Sequence, residues 1–183
     1  LTRLLLESQR SELDIGELVG AVVGSVSSSI LGAALALLLA LPIAALAARY
    51  RSRIVRSIEG AAFLGHALPG VVVGLSLVFF TLAVLPAAYQ TLAVLAFAYA
   101  VLFLPKAIGS SRSAIAHVPP GLESTARSLG RGPLRAWCTV TGRLAWPGIA
   151  AGTLLVVLTA MKELPATLML RPTGLDTLAT QMW

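Results

Sequence analysis

The stretch GAAFLGHALPGVVVGLSLVFFTLAVLPAAYQTLAVLAFAYAVLFLP, residues Gly60–Pro105, runs for 46 residues without an Asp, Glu, Lys or Arg. A helix crossing a bilayer needs about 20 mainly apolar residues, since each rises about 1.5 Å through a hydrocarbon core about 30 Å thick. The stretch is too long for one crossing and suits two, with Pro86-Ala87-Ala88-Tyr89-Gln90 as its only plausible break. Working outward, Leu18–Ala48 is a second uncharged run, of 31 residues, and Leu144–Met161 a third, of 18. The runs predict four spans, at 19–48, 62–85, 90–108 and 146–168. The fold class that follows is all-α, a polytopic transmembrane helix bundle seated in a lipid bilayer. Composition agrees: 57% of residues are hydrophobic and 12% charged, against about 25% charged in soluble domains, and mean hydropathy is +0.86.

The charges orient the bundle. Arg49, Arg51, Arg53 and Arg56 lie between spans one and two, beside a single acid, Glu59. Lys106, Arg112, Arg127, Arg131, Arg135 and Arg143 lie between spans three and four, beside Glu123. These two connections share a side and hold ten of the 14 basic residues. The positive-inside rule places them in the cytoplasm, and places residues 1–17 and the stretch after Leu170 in the periplasm. The chain divides into that N-terminal segment and a transmembrane domain at 18–183, with a cytoplasmic loop at 109–145. The net charge of +6 does not signal nucleic acid, because the basic residues flank spans and lack interleaved aromatics. The single cysteine, Cys138, excludes an internal disulfide. No secretory signal is visible in the opening residues, where Arg3 and Arg10 mix with Glu7, Glu12, Asp14 and Glu17. The ends, at Leu1 and Trp183, read as those of a piece of a longer chain.

The loop at 109–145 is 37 residues long, where a turn between neighbouring spans needs only a handful. Pro119-Pro120 suits a helix start. Leu122, Ala126 and Leu129 then recur at i, i+4 and i+7 on one helical face. Glu123 and Arg127 stand at i, i+4 with the acid first, the favourable order. Gly130 supplies a stop. Pro133 opens a second short helix through Trp137. The pair forms a compact cytoplasmic knob, or, on the plainer reading, a surface helix lying on the bilayer or on its own span ends.

The segment Glu123-Ser124-Thr125-Ala126-Arg127-Ser128-Leu129-Gly130 resembles the EAA loop of binding-protein-dependent ABC transporter permeases. Aligned on Gly130, the motif positions fall on Ser124, Thr125, Ala126, Gly130, Val140, Gly142 and Arg143. Ser124 stands where the motif has Glu, with Glu123 beside it, and Gly142-Arg143 stand in place of Leu-Pro. Ala67-Leu68-Pro69-Gly70, Phe103-Leu104-Pro105 and Lys162-Glu163-Leu164-Pro165-Ala166-Thr167-Leu168-Met169-Leu170-Arg171-Pro172 resemble the iron(III)-type branch. The resemblance covers nearly all of 18–183 and implies the transmembrane subunit of an importer in the bacterial inner membrane. It implies as partners a cytoplasmic ABC ATPase dimer, a periplasmic substrate-binding protein and a second permease half or homologous subunit. Members of this branch usually carry two homologous halves, and this chain resembles much of the second. ATP and Mg would sit on the ATPase, and this chain would bind no cofactor; it has no Gly-rich phosphate loop. The implied coupling site is Leu122, Glu123, Ser124, Thr125, Ala126, Arg127, Leu129 and Gly130. Leu122, Ala126 and Leu129 would form the inserted face, and Glu123 and Arg127 the rim contacts.

Lys162 and Glu163 fall in the outer half of span four, followed by Pro165. Ionisable residues in a span face protein or water. The reading is a periplasmic gate or path-lining element with Glu163 facing the path; the plainer alternative is a polar anchor with Lys162 snorkelling. His66 and His117 have no acid or Cys at ligand spacing, so no metal site is expected. Gly20, Gly24, Ser28 and Gly32 follow the small-xxx-small spacing of closely packed spans, against a partner the spacing does not name. Pro42, Pro69 and Gly70 read as kinks or packing points, and Tyr89 and Trp183 fit interfacial belts. No catalytic residue is expected: the spans lack His-Glu-x-x-His, Gly-x-Ser-x-Gly and paired acids. Thiamine, sulfate, molybdate and polyamine importers share the loop, and a gradient-driven secondary transporter is the alternative that needs no docking loop.

Overall fold

The computed structural model of the protein describes residues 15–50, 52–64 and 68–182. Residues 1–14 of the expected periplasmic segment lie outside them, as do Arg51, His66, Ala67 and Trp183. Every regular element among the described residues is helical. Among the described residues, three helices are long and apolar enough to cross a membrane, Gly16–Arg49, Leu92–Ala116 and Pro133–Ala160, with a shorter apolar one at Gly70–Val84.

Helix α1, Ile15–Arg49, presents a face of small residues. Ala21, Ser25, Ser28, Ala36, Ala40, Ala44 and Ala47 are buried along it, at steps of three, four and eight residues that keep them on one side. Most of this face lies against α4, Leu92–Ala116. A Cβ on Gly32 would stand 2.6 Å from Cβ of Tyr99, so glycine there sets how closely the two axes approach. The other side of α1 carries Val19, Val23 and Leu38, all more than half exposed, as suits a face turned to lipid or to another subunit.

The expected second span is interrupted. An amphipathic helix α2, Arg53–Leu64, occupies what reads in the sequence as a basic connection. Pro69 is extended at φ −59, ψ 142, and α3 begins only at Gly70 and ends at Val84. Proline disfavours a helical conformation in the residue before it and donates no hydrogen bond, so a helix arriving from Leu64 cannot run through. At 15 residues α3 is about 22 Å long, short of the full hydrocarbon core. A 3₁₀ turn at Pro86–Ala88 then leads to Thr91, whose side chain caps α4 by accepting from the Val94 N–H at 3.4 Å.

Helix α4 runs past the expected end at 108 to Ala116, so Arg112 belongs to the helix rather than to the loop, and Lys106 stands well inside it. After α5, Pro120–Ser128, the expected second short helix is not a free knob. It is the four-residue α6, Pro133–Ala136, continued by a π-helical turn, Trp137–Gly142, into α7, Arg143–Ala160. The expected fourth span is broken too: α7 stops at Ala160, residues 161–164 turn, and Pro165 opens α8, Pro165–Leu170, at its first turn. A last short helix, α9, Leu178–Gln181, is pinned to α1 by the Leu178 N–H donating to Ser25 Oγ at 2.7 Å. Tyr99, Leu95, Ile108, Val156 and Leu170 fill the core where α4, α7 and α8 meet.

Candidate functional site

Two places gather the residues singled out in the sequence. The first is the end of the bundle where α1 and α4 finish and α7 begins. Arg49 is the last residue of α1. Its Nη1 donates to the Val118 carbonyl at 2.9 Å and its Nη2 to Glu123 Oε1 at 3.0 Å, with Thr141 Oγ1 at 3.4 Å. Thr141, fully buried in the π-helical turn, donates its hydroxyl to the same Glu123 carboxylate. One carboxylate thus joins α5 to α1 and to the root of α7. The Arg49 and Glu123 side chains are 15% and 24% exposed, so solvent screens this pair less than a surface pair. All three side chains come from one end of the bundle, in agreement with the shared side that the arginine count assigns.

Helix α5 closes on a full Schellman turn. Gly130 has φ +85, its N–H bonds Arg127 O at 3.0 Å, and the Arg131 N–H bonds Ala126 O at 3.2 Å. The stop read at Gly130 is therefore a left-handed cap. The apolar face divides. Ala126 is buried, while Leu122 is 43% and Leu129 80% exposed. Ser124 and Thr125 return their hydroxyls to Gly121 O and are exposed. Glu123 does not stand on an outer rim or pair with Arg127: it faces inward to Arg49. Arg127 is exposed and pairs with no acid among the described residues. Leu122, Ser124, Thr125, Arg127 and Leu129 are what α5 offers outward. Arg49 and Thr141 were the members sequence reasoning missed. Arg49 reads as one more topology charge, and nothing marks Thr141 until the chain is folded.

The second place is where the two interruptions meet. Lys162 and Glu163 do not lie within a span; they form the turn between α7 and α8. Lys162 is exposed and Glu163 half-buried. The Glu163 carboxylate lies against Gly70, where a Cβ would collide with it. It also accepts from the Ala166 N–H at 3.3 Å, and so caps α8. Thr167 donates to the Glu163 carbonyl, leaving Tyr99 to donate its hydroxyl to Thr167 at 2.7 Å. Gly74, one turn on from Gly70, lets Met169 and Ala166 approach: a Cβ there would lie 3.1 Å from Met169 Sδ and 3.2 Å from Ala166 Cα. Non-helical backbone at membrane depth is tolerated only where it is buried in protein or lines a water-filled path, and interrupted helices are a common device of transport sites. His117, the histidine that is described, places Nδ1 2.7 Å from the Ser113 carbonyl at the end of α4.

Crossing helices, two facing interruptions and a helical loop tied to one end of the bundle define a polytopic membrane transport protein. The chain belongs to the binding-protein-dependent transport system inner membrane component family, whose family model matches residues 36–182. Over 137 residues it is 39% identical to the Fe(3+)-transport system permease protein FbpB 2 of Haemophilus influenzae. That match covers 75% of this chain and 27% of the relative, so the chain spans about a quarter of the curated protein it resembles.

Proposed function

We propose that this chain is part of the transmembrane permease of an ATP-driven importer that moves iron(III) from a periplasmic binding protein to the cytoplasm. The observation that carries the coupling half of this reading is α5. A short helix with exposed Leu122 and Leu129 stands beyond the spans, and Glu123 ties it to α1 and α7. Such a helix fits a groove on an ATPase, and the tie gives any displacement of α5 a rigid route into two spans. ATP and Mg belong to that partner. Closure of the ATPases moves α5, the spans rock, and the start of α3 at Pro69–Gly70 and the turn at 161–164 part as a gate, with Glu163 and Pro165 at its hinge and Lys162 at its exposed edge. The 39% identity to an Fe(3+)-transport permease supports iron(III) as cargo. The second permease half supplies the opposite wall.

The test is co-purification. The complete reading frame is expressed with its neighbouring ATPase, as wild type and with residues 120–130 deleted. ATPase retained by the wild type and lost by the deletion is the expected result. Equal retention by both forms would remove the docking role, and no ATPase on either would favour a gradient-driven transporter.

A further inference from the structure

Lys106 lies ten residues before the cytoplasmic end of α4 and fourteen after its start. At about 1.5 Å per residue it stands near the middle of a core about 30 Å thick. An ionised side chain at that depth has to meet protein or water, and the stem is too short to carry the ammonium to either surface. Its partners here are neutral. Nζ donates to Thr159 Oγ1 at 3.0 Å, and the ring of Phe103 lies 5.9 Å away. Among the described residues no carboxylate forms a salt bridge with it. The carbonyl end of α7, which stops one residue after Thr159, contributes only a partial negative charge.

The surroundings say where this ammonium points. From Lys106 toward the cytoplasm, Gly109, Ser113 and Ala116 follow at steps of three and four on one stripe. Gly109 is half-buried, and Ser113 and Ala116 are exposed. One flank of the stripe is Arg112, paired with Glu59 of α2. The other is Ser110, packed where Gly152 of α7 leaves room. The stripe therefore runs between a flank engaged with α2 and a flank packed on α7, and Ser113 and Ala116 leave it exposed toward the end of α4.

We propose that Lys106, with Thr159, is an anion-binding point on the inner side of the gate, and that cargo passes it as iron(III) complexed by oxyanion ligands, carboxylate or phosphate. This rests on the iron reading above. A bare trivalent cation is repelled by an uncompensated ammonium at low dielectric. A ligand shell of oxyanions reverses the sign, and a charge-assisted hydrogen bond from Nζ then holds the complex in transit.

The full-length permease is reconstituted in vesicles with its ATPase and with binding protein loaded with radiolabelled iron(III) and either labelled citrate or labelled phosphate. K106Q is expected to lower uptake of iron and of the labelled anion together by about tenfold or more, the loss of one charge-assisted contact. Stimulation of ATP hydrolysis by loaded binding protein stays at the wild-type level, and K106R, which keeps the charge, keeps uptake. Wild-type uptake by K106Q would overturn the proposal, as would a loss in K106R equal to that in K106Q. Iron entering wild-type vesicles without either anion would also overturn it, because a carboxylate of the second half would then be the counter-charge. Wild-type vesicles that take up no iron at all would instead sink the cargo reading.

Discussion

Arg49 ends α1 as a cation on the negative end of the helix dipole, a placement worth a few tenths of a kcal/mol by itself. Its engagement of Glu123 and Thr141 adds a partly buried charged pair. Removing one member leaves the other without its partner, which costs more than the pair's net worth. R49M is expected to destabilise the protein by about 1–3 kcal/mol in thermal unfolding in detergent. R49M combined with E123Q should be less than additive; strict additivity would show that the two side chains act independently. Gly130 is a second residue whose conformation decides its identity. A Cβ there meets nothing within 4 Å, so the penalty of substitution is purely that of φ +85. G130A should cost about 1–2 kcal/mol, and G130N, which tolerates the left-handed region, less. Equal losses would point to a packing role that the open surroundings do not explain.

At the scale of elements, the glycine stripe of α1 shows how packing separates residues the sequence treats alike. Gly20, Gly24, Ser28 and Gly32 share one spacing, yet Gly20 faces open space, Gly24 lies under the backbone of Asp176 and Gly32 lies under Tyr99. G20V should leave stability within about 0.5 kcal/mol apart from helix propensity. G32V should force α1 off α4 and cost several times as much. Thermal unfolding of the two variants measures the difference, and similar losses would mean that the α1–α4 approach does not depend on glycine. The same scale explains the two interruptions. Pro69 and Pro165 each sit at the first turn or just before a helix, where a missing N–H does no harm. The expected spans at 62–85 and 146–168 run through both prolines and so miss the breaks.

For the whole molecule, the arrangement of charges sets an expected orientation that labelling can test. Cys138 is exposed in the π-helical turn at the root of α7, on the end that carries Arg49 and Glu123. In a variant with Cys138 as its sole cysteine, expressed without the ATPase, a membrane-impermeant maleimide should label inverted vesicles and not right-side-out ones. Labelling from the outside would reverse the topology and with it the docking side of α5. The exposed apolar residues of α1 and α3, Leu38, Phe79 and Phe80 among them, cover more surface than a lone water-exposed domain leaves bare. They suit contact with lipid or with another protein surface.

The sequence by itself determined the solvent and the family, and set an expectation for the sidedness. Those depend on sums over many residues, namely uncharged run length, arginine asymmetry and a loop motif, and such sums survive without coordinates. It also located the cap at Gly130, because a left-handed turn after a short helix is a local demand that glycine meets best. What only the tertiary structure decided is which residues face one another. Glu123 turns inward because Arg49, 74 positions away, offers a stronger partner than Arg127 one turn along an exposed surface. Glu163 leaves its expected span because α7 ends before it and Gly70 makes room for it. Lys106 becomes a midplane charge only once α4 is seen to run on to Ala116. Each depends on contacts between distant segments, where local spacing carries no information.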